Sequence, residues 1–204
     1  MKTEEQCLRD YLGPDLEAST VLRDYAAWCV HGGGGERFLD IHCQLVSAFD
    51  QFRATRRMRP ILPWDPSTKI PGWLAHDAIL HHARETDDPS SNDARCKTPT
   101  WATVVGAAPG GASDPDPLFG YAKLGQFRSA DELGRSISYQ WYNVVHMTIG
   151  GDMATFEAPV DPVCWAWFGW IRHTRLLWER ARAQAALAEA GSGISARDPQ
   201  HSRT

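Results

Sequence analysis

The sequence predicts a mainly α-helical fold, and three observations carry that prediction. Apolar residues recur at three- and four-residue steps, as in Phe38, Ile41, Leu45, Phe49 and Phe52. Start and stop signals bracket such stretches, from Asp161-Pro162 ahead of one to the Gly32–Gly35 run at the end of another. The composition, 43% apolar and 23% charged, is that of an ordinary globular chain and excludes wholesale disorder.

Pro14 and Asp15 open a first helix over 15–30, with Leu16, Val21, Tyr25 and Trp28 near one stripe. The four consecutive glycines end it, because glycine loses the most backbone freedom on becoming helical. A second helix is expected over 36–57, with His42 inside its apolar stripe and the basic run Arg53–Arg59 as its solvated end. Residues 60–66 read as an extended turn, and 69–86 as a third helix carrying His81-His82. From 85 to about 119 the chain is rich in Asp, Ser, Pro and Gly, a long loop of the kind that serves as a lid or stays disordered. A fourth helix covers 129–149, with Leu133, Ile137, Trp141 and Val145 inward. The fifth opens on Asp161 as N-cap, with proline at the first helical position, and runs to the alanine-rich stretch near 189. The expected organisation is one helical domain over 1–189 and a flexible tail over 190–204.

At 204 residues the chain is long enough to bury a sizeable core. Its 21 basic and 25 acidic side chains leave a formal charge of −4, without the concentrated basic face of a nucleic-acid protein. Cys7, Cys29, Cys43, Cys96 and Cys164 are an odd number with no CxxC spacing, which argues against a disulfide framework or a thiolate zinc ribbon. Residues 1–6 lack the apolar core of a signal peptide, and the longest apolar run, 163–171, is far short of the ~20 residues that span a bilayer. A reduced, cytoplasmic protein with no nucleic-acid or membrane partner is expected. Nine tryptophans are the outlier, four of them within the 14 residues from Trp165 to Trp178, and they point to an aromatic-walled pocket.

Position sorts the eight histidines. His201 lies in the tail, His173 is flanked by arginines, and His76, His81 and His82 lack an acidic or histidine partner at helical spacing. His42 sits on an apolar face, His31 where a helix breaks, and His146 on a helix that must face the same core. A lone core histidine is ordinarily just hydrogen-bonded, but histidines converging on a bundle interior are how helical bundles build metal sites.

The segment Tyr142-Asn-Val-Val-His146-Met-Thr-Ile-Gly150-Gly-Asp-Met153, continued by Ala158-Pro-Val-Asp161-Pro-Val, resembles the second copper motif of the tyrosinases and hemocyanins. That family reads His-Asn-x-x-His, an Ile-Gly-Gly-x-Met stretch, then Ala-Pro-x-Asp-Pro before a helix. Val30-His31-Gly32 and Phe38-Leu-Asp-Ile-His42, followed by Phe49-Asp50, resemble its first copper motif, and Leu62-Pro-Trp-Asp65 its Pro-Tyr/Trp-Trp-Asp turn. The similarity spans roughly residues 20–180. It implies a four-helix bundle core with long loops and a metal site inside the bundle.

The departures redirect the expected chemistry. The family holds two coppers with six histidines, yet Tyr142 stands where the second motif's first histidine belongs. Its closing His-His falls on Trp167 and Phe168, and the acidic residue that follows falls on Arg172. The middle histidine of the first motif has no counterpart, because only ten residues separate His31 from His42. Three ligands of six remain, so a two-copper centre is not expected. The resemblance instead implies one mononuclear centre on His31, His42 and His146, with three imidazoles and an open position as in catalytic zinc. Tyr142, four residues before His146, shares its helical face and is a candidate proton donor or fourth contact. Asn143 matches the family asparagine beside the metal.

Short, oxygen-independent relatives with this profile are the fungal zinc-dependent cyclopenases of quinolone alkaloid pathways, a class of secondary metabolism. The resemblance implies a lyase that converts cyclopenin, an epoxidised benzodiazepinedione, into viridicatin by ring contraction with loss of methyl isocyanate. A two-ring aromatic substrate suits walls formed by Trp141, Trp167 and Phe168. Glu157 is a candidate general base, Asp65 a buttress of its turn, and Lys123 and Arg128 candidate covers from the long loop. Cys43 points away from His42, and Cys164 reads as packing. Two rival readings stand beside this one. The chain could be a non-catalytic, tyrosinase-like pseudoenzyme that binds a partner in its tryptophan-rich groove, or a mononuclear copper oxidase, since imidazole alone does not exclude copper.

Overall fold

The computed structural model describes residues 4–65 and 124–195, and there the protein is mainly α-helical, with no strand among the described residues. The helices are α1 (Glu4–Leu12), α2 (Thr20–His31), α3 (Gly35–Thr55), α4 (Ala130–Ile137), α5 (Asn143–Ile149) and α6 (Pro162–Ser195). A π-helical segment, Ser138–Tyr142, joins α4 to α5, and two 3-10 turns, Gly151–Ala154 and Ala158–Val160, lead into α6. The helix expected over 69–86, with its histidines, and the loop over 85–119 lie outside the described residues, as does Lys123. Among the described residues no helix is long and apolar enough to cross a membrane.

α3 packs against both α4 and α6. Its buried positions, Gly35, Phe38, Leu39, His42, Val46, Phe49 and Arg53, follow the three- and four-residue steps of one helical face. The start of α6 differs in kind. Val163 to Phe168 are all fully buried, so this turn runs through the middle of the core. Asp161 sets its beginning as the sequence indicates, its carboxylate accepting the Val163 N–H at 2.8 Å. Ser129 does the same for α4, accepting from the Glu132 N–H at 3.1 Å while the Glu132 carboxylate takes the Arg128 N–H at 2.8 Å.

Four boundaries depart from expectation. Periodicity gave no sign of α1, which buries Cys7, Leu8 and Leu12. α2 begins at Thr20 because the Asp15 carboxylate accepts from Glu17 and Ala18 N–H at 3.1 and 3.4 Å, spending itself on a turn. Arg53 is buried, not solvated: it pairs with the Glu4 carboxylate, and its Nε donates to the Arg59 carbonyl at 2.7 Å. That pairing holds α1 on α3. Finally, α6 continues to Ser195, so the first part of the expected 190–204 tail is helical.

α3 and α4 meet backbone to backbone. A Cβ on Gly134 would stand 1.8 Å from the Gly35 carbonyl oxygen, and one on Gly35 would stand 2.0 Å from that of Asp131. The Asp131 carboxylate closes the joint by accepting the Gly35 N–H at 2.7 Å, which serves an unpaired donor at the start of α3. Gly134→Ala is therefore expected to cost about 3 kcal/mol. Thermal denaturation should show this as a midpoint lower by roughly 6–12 °C. Alanine at exposed Met147 should stay within about 0.5 kcal/mol of wild type.

Candidate functional site

Four helical stretches bring one aromatic cluster together around two imidazoles. α3 supplies His42 and Phe38, the π segment and α5 supply Tyr142 and His146, α6 supplies Phe168 and Trp167, and α2 supplies Tyr25 and Trp28. The two histidine rings share neighbours. Tyr142 lies 5.2 Å from His42 and 4.4 Å from His146, and Phe168 lies 4.6 and 6.4 Å from the same rings, centroid to centroid.

Each imidazole is held by one nitrogen. His42 Nδ1–H donates to the Phe38 carbonyl one turn back, at 2.7 Å. His146 Nδ1–H donates to the Met153 carbonyl, also at 2.7 Å. The second bond explains the Ile-Gly-Gly-x-Met stretch: Gly150 takes φ 73°, a conformation glycine adopts freely, and the 3-10 turn behind it returns Met153 to His146. With Nδ1 protonated, Nε2 carries the lone pair. In both residues Nε2 is buried and has no hydrogen-bond partner. This is the arrangement in which an outer carbonyl orients an imidazole for a metal.

The surroundings keep both rings neutral. Burial pushes His42 down to about 3, against the pull of the Phe38 carbonyl and with a smaller push from His146. Burial likewise takes His146 down to about 4, opposed by the Met153 carbonyl. Tyr142 pairs with Tyr25 through hydroxyls 2.9 Å apart, and burial drives the Tyr142 hydroxyl well above its ordinary range. It is a proton-bearing group at any physiological pH. Trp28 packs edge-on to His42 at 5.0 Å, and Trp167 stacks on Trp170 at 5.0 Å; their indole Nε1 atoms are buried without a partner.

Of the residues singled out from sequence, His42, His146, Tyr142, Trp167 and Phe168 come together. Trp141 is buried as well, one residue before Tyr142. His31 closes α2, and its side chain lies outside the described residues. Asn143 and Glu157 have exposed side chains and do not join the buried cluster. Tyr142 and His146 face inward four residues apart, which turns the adjacent Asn143 to the outer face. Arg128 and His173 are exposed, and Cys164 is buried. Among the described residues no three His, Cys, Asp or Glu side chains form a group that could hold a metal. Sequence reasoning missed Tyr25, Trp28 and Phe38 as members of the site, although the first two share the α2 stripe and Phe38 lies one turn before His42.

The depressed histidine values make a pH prediction for chelator-treated protein. The unfolded chain takes up protons from about pH 6.5, while the folded rings resist until about 4 and about 3. Stability held by these neutral rings is complete above pH 6.5 and is lost as the pH falls from there through the folded values. Thermal midpoints should therefore fall more steeply between pH 6.5 and 4 in wild type than in His42→Gln. Equal slopes would show that His42 titrates as an ordinary surface histidine.

No family model matches the chain, nor does any curated protein or solved structure. The chemistry of the cluster therefore has to carry the function.

Proposed function

We propose that this chain is a zinc-dependent, non-oxidative enzyme with a tyrosinase-like four-helix core, acting as a cyclopenase-type lyase on a small aromatic benzodiazepinedione. One observation supports this above the others: two buried imidazoles, each fixed through Nδ1 to a backbone carbonyl and each with a free Nε2. Leaving a buried acceptor unpaired costs ~1–3 kcal/mol, so two in one cluster ask for an occupant with a positive or donating centre. His42 and His146 would be two ligands, and His31, at the end of α2 three residues after Trp28, the third. The neutral imidazoles fit, because a metal ligand must be deprotonated at Nε2. A single zinc supplies Lewis-acid polarisation of a carbonyl or epoxide oxygen without redox chemistry.

The chain's own residues supply the rest. Tyr142, whose ring lies against both imidazoles and whose hydroxyl pairs with that of Tyr25, would donate its proton to a developing oxygen anion. Phe168, Trp167 and Phe38, buried around the imidazoles, exclude water from them. Ring contraction with release of methyl isocyanate consumes no oxidant, consistent with a single redox-inert ion. Asn143 and Glu157 have no part in this scheme, since both side chains are exposed.

A second reading has its own support. No three-ligand group forms among the described residues, which favours a metal-free remnant that binds a partner or small molecule.

Metal analysis of the purified chain separates the two. About one equivalent of zinc is expected, lost in His42→Ala and in His146→Ala. Absence of bound metal, with an unchanged thermal midpoint in chelator, would sink the enzyme reading in favour of the remnant. Copper with oxygen uptake on catechol would replace zinc by a mononuclear copper oxidase. Incubation with cyclopenin under anaerobic conditions is expected to give viridicatin and methyl isocyanate. No turnover by zinc-loaded protein would reject this substrate.

A further inference from the structure

A groove between α2 and α3 runs along the outside of the imidazole cluster. We infer that it is the seat and access route of the substrate, a flat, uncharged aromatic molecule, and that Trp28 is its gate. The inference rests on His42 and His146 being the reactive centre.

The groove encloses about 480 Å³, within the ~300–1,000 Å³ typical of small-molecule sites. Tyr11, Val21, Ile41 and Leu45 line it together with Tyr25 and Trp28, so its surface is aromatic and aliphatic. Asp24 and Arg37 also line it, one charge of each sign, which gives an ion no net attraction and leaves a neutral molecule without penalty.

Two of these residues belong to the groove and to the cluster at once. The Trp28 ring stands perpendicular to the His42 ring at 5.0 Å and to the Tyr142 ring at 5.8 Å. The Tyr25 hydroxyl bonds that of Tyr142 at 2.9 Å. One indole therefore separates the groove from the His42 imidazole. Trp28 lies in the last turn of α2, where the helix gives way to Gly32 at φ 61°. Helix ends fray more readily than helix middles, which suits a gate better than the buried middle of α6 would.

Ala27 and Ala48 are exposed lining residues on opposite walls, one on α2 and one on α3. Tryptophan at either narrows the groove without replacing a residue of the cluster. Binding of 2-naphthol to the full-length chain, followed by calorimetry, is expected in wild type and weakened about tenfold or more in A27W and in A48W, with zinc content unchanged. Capture of the bound zinc by 1,10-phenanthroline, itself flat and uncharged, should be about tenfold faster from W28A than from wild type, slower from A48W, and unaltered in W28F. Binding of 2-naphthol by A27W and A48W within twofold of wild type, or no binding by wild type at millimolar 2-naphthol, overturns the groove. Equal rates of zinc capture from W28A and wild type overturn the gate. Wild-type protein that binds 2-naphthol through the groove but holds no zinc sinks the metal reading and keeps the groove as a ligand site.

Discussion

The close crossing of α3 and α4 at Gly35 and Gly134 is the constraint on which the site depends. Backbone touches backbone there, so the two helices start from a fixed common point, with Asp131 locking the angle through the Gly35 N–H. His42 lies seven residues beyond Gly35 and Tyr142 eight beyond Gly134. At 3.6 residues per turn both sit about two turns past the crossing, and their rings meet at 5.2 Å. The π segment then matters. An inserted residue turns everything after it by about 100°, and here that rotation falls just before Tyr142 and His146. With a regular α-helix from Ala130 onward, His146 would be turned away from its present direction.

Charge fixes the third wall. Asp50 on α3 accepts the Ile61 N–H at 2.8 Å and pairs with Arg172 on α6 at 2.8 Å. The turn that holds Trp64 is thereby tied to both helices, and the Trp64 N–H completes the tie by donating to the Ala166 carbonyl at 3.0 Å. Arg172 stands where the resembled copper family has an acid. In this chain it reads as the counter-charge of Asp50, a structural role that needs no metal nearby. Arg53 repeats the pattern one turn further along α3, where its guanidinium joins α1 through Glu4 and the α3 exit through the Arg59 carbonyl.

Much of this was legible in the sequence, and the failures have physical reasons. Helices α3, α4 to α5 and α6 announced themselves because each carries a long apolar stripe, joined in α4 and α6 by a capping residue, so local and tertiary preferences agree. The pairing of His42 and His146 followed from the same stripes. α1 was silent because Cys7, Leu8, Tyr11 and Leu12 span fewer than two turns of pattern, too short a stretch for periodicity to stand out. Arg53 was misread because a basic run at a helix end is ordinarily solvated, and only α1, itself unseen, supplies the carboxylate that draws it in. The π segment left no trace, since Ser138 to Tyr142 carry nothing that distinguishes i→i+5 from i→i+4 hydrogen bonding. Asn143 was placed by resemblance to a motif and Glu157 by its position just before Ala158-Pro159, and order along the chain does not record the face on which a side chain ends up.

A core of this kind is costly to maintain. Tyr142 and Phe168 are stacked with an interplanar angle of 14°, and around them four ring nitrogens, on His42, His146, Trp28 and Trp167, are buried without partners. Each unpaired group costs ~1–3 kcal/mol, and a well-packed apolar replacement would avoid that cost. Phenylalanine would fill the His42 site with the same neighbours, since Phe38, Phe168 and Trp28 already surround it with ring faces and edges. The chain instead keeps the imidazoles and ties each Nδ1 to a carbonyl. That bond orients a nitrogen lone pair that packing alone would leave free to rotate away. Orientation is wasted on a residue whose only task is to fill space. It has value where something must be met at Nε2, as in the proposed metal site, and the two-sided position of Trp28, against the groove and against His42, is the route that proposal uses.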